Sequence, residues 1–447
     1  MPVLLKWRDV SGDTVEPTEG ARVRTIYALL LSGIILAVGL SVAVPDATLV
    51  AGGLTLAAAV VGLVLVNRTQ RNIALVLSAV GVVSVLLGLH LGGTIDVRDL
   101  FSVNQDLIGM LTAVSFLRLV TPTSPTTRTR LHGRLAVLRT AVATHALGAI
   151  INIGAVGIVG DHLRGRSALR LADAALVSRS FSAAAFWSPF WAAAAAATTL
   201  VPGANSLVLL LVGLGLALVA ISLSVWDIFH LWGPELPSYT GYTLSWALIR
   251  VPLALVALVI VVHQLAPGVP VPRIVLLAGL GVTLIGLLIV NGRGALGSLA
   301  RHAGHDLPQL RGEVTLFASA GILAVGLRML FPLFNLQLPF SEFTVPVAWA
   351  MMLTMILLAL VGVHPVVSVA IVAALVHTLS PDPTLFVLAA CIGWGVSAAV
   401  GPVTGLTMLL SARYGIDSLK LTRRNLVYLA VVLVASWPAL LLCAALT

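Results

Sequence analysis

The residues of this chain that could do chemistry are small polar groups set inside apolar sequence. Asn152 and Gly154 interrupt one hydrophobic stretch, and Ser180, Ser182 and Ser188 lead up to Pro189 in the next. Gly362, His364 and Ser368 surround Pro365, while Ser397, Thr404 and Thr407 surround Pro402. Hydroxyls, an amide and an imidazole bind polar ligands. The asparagine amide alone offers both a donor and an acceptor. A helix broken inside a bilayer leaves backbone groups that must find partners, so such a break persists where it lines a cavity or holds a ligand. Helix N-termini, carrying about half a positive charge, attract anions, whereas freed carbonyls and hydroxyls suit Na⁺. The expected site therefore takes a small anionic solute. Arg179 stands beside it as a possible countercharge, and Asp173 is the one acid placed to reach it.

The alternatives to these roles come from ordinary membrane packing. Small residues mediate helix contacts, so each serine is equally explained as packing. His364 either caps its turn or meets the solute. Arg118 and Arg328 sit near segment ends, where long cationic side chains snorkel to the interface. Trp187 and Trp191 read as members of an aromatic belt. Cys391 and Cys443 lie in apolar segments, and His302 and His305 have the wrong spacing for a helical metal pair. Acids avoid the spans, with Asp106 and Glu313 at segment starts and Glu342 at an edge. That disfavours a cation/proton exchanger, which needs a deep titrating carboxylate. A membrane-embedded enzyme would need a clustered nucleophile, metal ligands or paired acids, and the sequence offers none.

The elements that must position these groups are membrane helices. Hydrophobic residues make up 59% of the 447 and charged residues 10%, a balance found in chains with many bilayer spans. Residues 1–24 read as a cytoplasmic N-terminal segment and 25–44 as a leading transmembrane helix. Further spans are expected near 47–66, 72–92 and 107–120. The apolar segment 136–160 is flanked on both sides by arginines, Arg128, Arg130 and Arg134 before it and Arg164, Arg166 and Arg170 after. If positive charge marks the cytoplasm, both ends lie there and the segment is a re-entrant hairpin. A broken helix over 170–200 and a return over 205–225 follow, then a linker at 226–240. The second half reads as spans near 241–263 and 272–290, an amphipathic arm over 291–312 and a span to 331. A hairpin over 345–377 has flanks without Lys or Arg and so opens outside; a broken helix over 384–411 and a last span to 446 complete the chain. The net charge of +9 is then a signal of membrane orientation, because 19 of the 26 Lys and Arg fall in the expected cytoplasmic loops and only Arg98 and Arg273 in external ones.

The two halves also match each other in order at an offset of about 200 residues. The run from Ile73 meets that from Ile274, Leu117-Arg118 meets Leu327-Arg328, and Ser182-Ala183-Ala184 meets Ser397-Ala398-Ala399. The fold class is thus an all-α polytopic membrane protein, with about eleven transmembrane helices and two re-entrant hairpins in two inverted-topology repeats, 47–225 and 241–446. This plan resembles the ion transporter superfamily, which includes divalent anion:sodium symporters, citrate transporters and the large membrane subunits of tripartite periplasmic transporters. Gly362-Val363-His364-Pro365 is similar to hairpin tips of dicarboxylate-type members, but the Ser-Asn-Thr signature of the sodium-coupled branch is absent, with only Asn152 standing where it would be. The resemblance implies an elevator mechanism, a homodimer in a bacterial inner membrane, and no cofactor beyond Na⁺ as coupling ion. It also brings in two relatives' habits, cation/proton antiport or inorganic oxyanion export, and partnership with a small membrane subunit and a periplasmic binding protein. Either Na⁺ or H⁺ can drive such a carrier. A proton would ride on Asp173, on His364 or on the solute; Na⁺ needs only carbonyls and hydroxyls such as those near Asn152 and Ser397, and is favoured.

Overall fold

In the computed structural model the described residues are 19–101, 104–121, 132–165, 168–242, 246–334 and 339–447; Arg128, Arg130, Arg166 and most of the N-terminal segment lie outside them. The described residues form nineteen α-helices and no strand, with one isolated bridge between His132 and Thr240. Hydrocarbon offers no hydrogen bonds, so apolar segments pair their backbone groups internally and become helices. Eight helical stretches among the described residues are long and apolar enough to cross a membrane.

The chain begins with α1 (Glu19–Leu40), α2 (Ala47–Leu65) and α3 (Arg68–His90), then a short α4 (Val97–Phe101) and α5 (Gln105–Ser115), which continues as a 3-10 turn to Leu119. α6 (Gly133–Ile151) and α7 (Gly154–Arg164) form an adjacent pair, and α8 (Leu171–Ser182) is separated from α9 (Ala192–Leu200) by an irregular stretch around Pro189. α10 (Ser206–Trp232) is longer than expected: the segment read as a linker from 226 is helical until Gly233, whose φ of +45° turns the chain away. Next come α11 (Trp246–Leu265), α12 (Val271–Asn291), the small α13 (Ala295–His305) and α14 (Arg311–Leu330). A second adjacent pair follows, α15 (Val345–Leu360) and α16 (Pro365–Val376). α17 (Pro383–Val400) is parted from α18 (Gly405–Tyr414) at Pro402, and α19 (Ser418–Leu446) ends the fold. Although α6 is long and apolar enough to cross, the chain turns at Asn152 and α7 packs back on it.

The helices fall into two groups. α1–α5 and α12–α14 pack together, α6–α10 pack with α15–α19, α11 touches both groups, and the groups meet chiefly where α14 packs on α16 and α5 on α9. Within them the contacts are reciprocal between the halves of the chain. α3 lies along α14 as α5 lies along α12; α6 packs on α8 as α15 packs on α17; α8 meets α10 and α19 as α17 meets α19 and α10. The α3–α14 crossing is close enough that a Cβ on Gly81 would stand 2.6 Å from the Ile322 carbonyl oxygen, and one on Gly326 would strike the Gly81 carbonyl. Gly326→Val should therefore force these helices apart and destabilise the fold by about 1–3 kcal/mol or more. An unchanged melting temperature in detergent would show that the crossing can relax. α13 is pinned by His302, buried over the Phe116 ring at 4.4 Å, with Ser115 Oγ 3.0 Å and Asp306 2.9 Å from its nitrogens.

Candidate functional site

Two helix-pair turns and two helix breaks sit among the second group of helices. The first turn is Asn152-Ile153, between α6 and α7. Asn152 has φ +53° and ψ −141°, a conformation that glycine adopts freely and asparagine adopts under strain. The second turn, 361–364, uses Gly362 at φ +97°. His364 then caps α16, its Nδ1 accepting from the Val366 amide at 3.2 Å, with its ring 6.2 Å from Phe317 and 5.9 Å from Trp394.

Contacts join the first turn to the second break. α7 begins at Gly154 and α18 at Gly405, and a Cβ on Gly405 would lie 3.9 Å from the Ile153 side chain. Two helix N-termini, both opened by glycine, thus come close at the Asn152 turn. The Arg118 guanidinium is beside them, its Nε 3.9 Å from where a Gly154 Cβ would be. Across the same break, a Cβ on Gly362 would stand 3.1 Å from Val403. Amide dipoles and a guanidinium facing one place favour an anion there.

The hydroxyls expected to bind divide into two sets. Ser180, Ser182 and Ser368 are fully buried, and their Oγ atoms find no hydrogen-bond partner among the described residues. A helical serine usually bonds the carbonyl one turn back, and a buried polar group left unpaired costs about 1–3 kcal/mol. Ser182 lies where α8 crosses α17, its carbonyl 2.7 Å from the position of a Gly395 Cβ. The second set is already used. Ser188 Oγ donates to the Ala149 carbonyl at 2.5 Å, Ser397 Oγ to Met355 at 3.4 Å, and Thr407 Oγ1 to Gly401 at 2.7 Å. Thr404 caps α18, accepting from the Thr407 amide at 3.3 Å and donating to the Ala398 carbonyl at 2.9 Å.

The Arg179 guanidinium is engaged with partners on other helices. The residue is 1% exposed, and the guanidinium donates to Asp227 at 2.6 Å, to Asn425 Oδ1 at 2.7 Å and to the Arg424 carbonyl at 2.7 Å. Arg424 pairs with the other Asp227 oxygen, and Asn425 donates to Ala399 at 2.7 Å and Ser178 at 3.2 Å. This network joins α8, α10 and α19. Asp173, in the first turn of α8, accepts from Trp232 Nε1 at 3.3 Å, two turns before Ser180. Arg328 donates to the Leu200 carbonyl at 3.1 Å, closing the end of α9.

Trp187 and Trp191 are not an interfacial belt. Trp191 Nε1 donates to Gly148 at 2.8 Å and Trp187 Nε1 to His145 Nε2 at 3.0 Å, so both indoles tie the first break to α6. His145 itself escaped the sequence reading. Its Nδ1 lies 3.0 Å from the Ser180 carbonyl oxygen. A signal for it existed in the chain, since His145 precedes Asn152 by seven residues, two helical turns, and so shares its face.

Searches against family models and curated proteins return no match for this sequence. What fold and site define is an all-α protein whose apolar helices suit a membrane and whose interrupted helices bring polar groups together inside it.

Proposed function

We propose that this protein is a secondary-active, elevator-type transporter of a small anionic organic solute of the carboxylate class, driven by a Na⁺ or H⁺ gradient. The observation that carries the reading is the approach of two glycine-opened helix N-termini, at Gly154 and Gly405, beside the strained Asn152 and the Arg118 guanidinium. A carboxylate there would accept from backbone amides and from Asn152, and meet the field of Arg118. The unpaired hydroxyls of Ser180, Ser182 and Ser368 are further donors within the same group of helices.

The architecture in this reading is two inverted repeats, with α6–α7 and α15–α16 as re-entrant hairpins entering from opposite faces. The reciprocal packing of the two halves supports it, as does the ordered match of the sequence. The group containing α3 and α14 would be the scaffold of a homodimer, and the hairpin group the moving carrier in a bacterial inner membrane. Membership of the ion transporter superfamily is part of the same proposal.

A thermal-shift screen of carboxylates, with and without Na⁺, tests the reading. A carboxylate that binds should raise the melting temperature, by an amount equivalent to about 2.7 kcal/mol at a hundredfold excess over its dissociation constant. A full panel of small carboxylates, run in Na⁺ and at acid pH, that leaves the melting temperature unmoved would contradict a carboxylate carrier.

A further inference from the structure

We propose that His145 carries the coupling proton, taken up together with the anion so that each favours the other. This rests on the transport reading above and assigns its driving ion to a residue outside the hairpin tips.

The two partners of the ring fix its state. A carbonyl oxygen only accepts, so the contact of Nδ1 with Ser180 requires a hydrogen on Nδ1. An indole nitrogen only donates, so the contact of Trp187 with Nε2 requires Nε2 to be bare. His145 is therefore neutral here, and its one free lone pair is occupied by Trp187. A proton arriving from solution adds to that lone pair while Nδ1 keeps its own hydrogen. Two N–H groups would then point at each other, and Trp187 must move. Trp187 belongs to the break between α8 and α9, next to Ser188, which is bonded to α6. Protonation is thus transmitted directly to the break.

The surroundings make the proton depend on an anion. The ring is 8% exposed, and among the described residues the acids on elements packed against α6 each have another partner, while Arg134 lies over the Phe229 ring and Arg164 closes α7. Arg179 and Asp227 hold each other, Asp161 holds Arg413, Glu235 holds Arg170 and Asp106 holds Arg273. Asp173 is bonded to Trp232, Arg250 is exposed, His230 bonds the Trp226 carbonyl, and His263 stands near the far end of α11. His162 lies against Tyr242. An imidazolium at this point would have no counterion of its own among the described residues, a costly state in a dry interior. A carboxylate at the Asn152 turn, two turns along α6 or about 10 Å away, supplies the missing charge. At an effective dielectric constant near 20, that separation gives coupling on the order of tenfold. By linkage, the proton strengthens anion binding by the same factor.

The test uses the full-length protein in detergent with ¹⁵N-labelled tryptophan, the Trp187 indole resonance being assigned with Trp187→Phe. Between about pH 8 and about pH 3.5, a window wide enough for an imidazole whose charged form is costly to bury, that resonance should move in the native protein and stay still in His145→Gln. His145→Asn serves if the glutamine variant does not fold. A sodium-free pool of succinate, malate and citrate should move the transition about one pH unit upward, the equivalent of tenfold coupling. Melting temperature is recorded on the same samples. A still resonance in the native protein overturns the proposal. So does a pool that raises the melting temperature without moving the transition, which leaves the transport reading intact. A pool that does neither overturns the proposal, and the full carboxylate panel in Na⁺ then decides the transport reading.

Discussion

Asn152→Gly should leave the fold intact while weakening solute binding and transport by about 10–100-fold. The backbone at Asn152 is one that glycine takes without strain. The strain removed, about 1–3 kcal/mol, is opposed by the extra chain entropy of glycine, about 0.5–1 kcal/mol. The melting temperature should therefore hold or rise. Function should fall because the amide is lost, and leaving a bound polar group without its partner costs about 1–3 kcal/mol. Asn152→Ala, by contrast, keeps the strain and loses the amide, so both stability and binding should drop. Measuring the two variants side by side separates a ligand from a turn residue. Native transport in Asn152→Gly would make the side chain a mere occupant of the turn.

Asp227→Asn should be the most destabilising single change outside the site. Two arginines, Arg179 and Arg424, converge on this one carboxylate, and the Arg179 side chain is 1% exposed. An isosteric amide leaves Arg179 a buried cation without its anion, and Arg424, 30% exposed, unpaired beside it, a loss of about 3–5 kcal/mol. That is a large part of an ordinary stability of about 5–15 kcal/mol. The comparison is Arg413→Gln, which breaks the ion pair with Asp161, where both side chains are about half exposed at 49% and 48%. Solvent screens that pair, and its loss should cost less than about 1 kcal/mol. Equal melting temperatures for the two variants would mean that the α8–α10–α19 network is not what holds those helices together.

What could be read from the sequence was what leaves a local mark. Proline ends or starts helices for want of an N–H, and in the structure α16 begins at Pro365 while Pro189 and Pro402 lie in the two irregular stretches. Glycine and asparagine mark positive φ, and Gly362 and Asn152 both have it. Apolar runs mark helices. Partnerships formed across the chain leave no such mark. Arg179 reads as a countercharge because it stands beside polar residues, but its partners Asp227 and Asn425 are 48 and 246 residues away. His145 draws no notice in the sequence, because the carbonyl and indole that fix its protons are 35 and 42 residues further on. Trp187 and Trp191 read as interfacial from composition alone, and only packing turns their N–H groups inward. The hydroxyls of Ser180, Ser182 and Ser368 are distinguished from those of Ser188 and Thr404 by what lies opposite them, which spacing does not encode.

The central claim is that two hairpins enter the membrane from opposite sides and meet at one site. Side-specific labelling tests it most directly, in a protein whose Cys391 and Cys443 are replaced by alanine. Single cysteines at Arg130 and Arg166 bracket the first hairpin, and others at Phe340 and Pro381 bracket the second. With a membrane-impermeant maleimide, the first two should react only in inside-out vesicles and the second two only in right-side-out vesicles. If Arg130→Cys and Arg166→Cys label from opposite sides, the α6–α7 segment crosses the membrane and the inverted architecture is wrong.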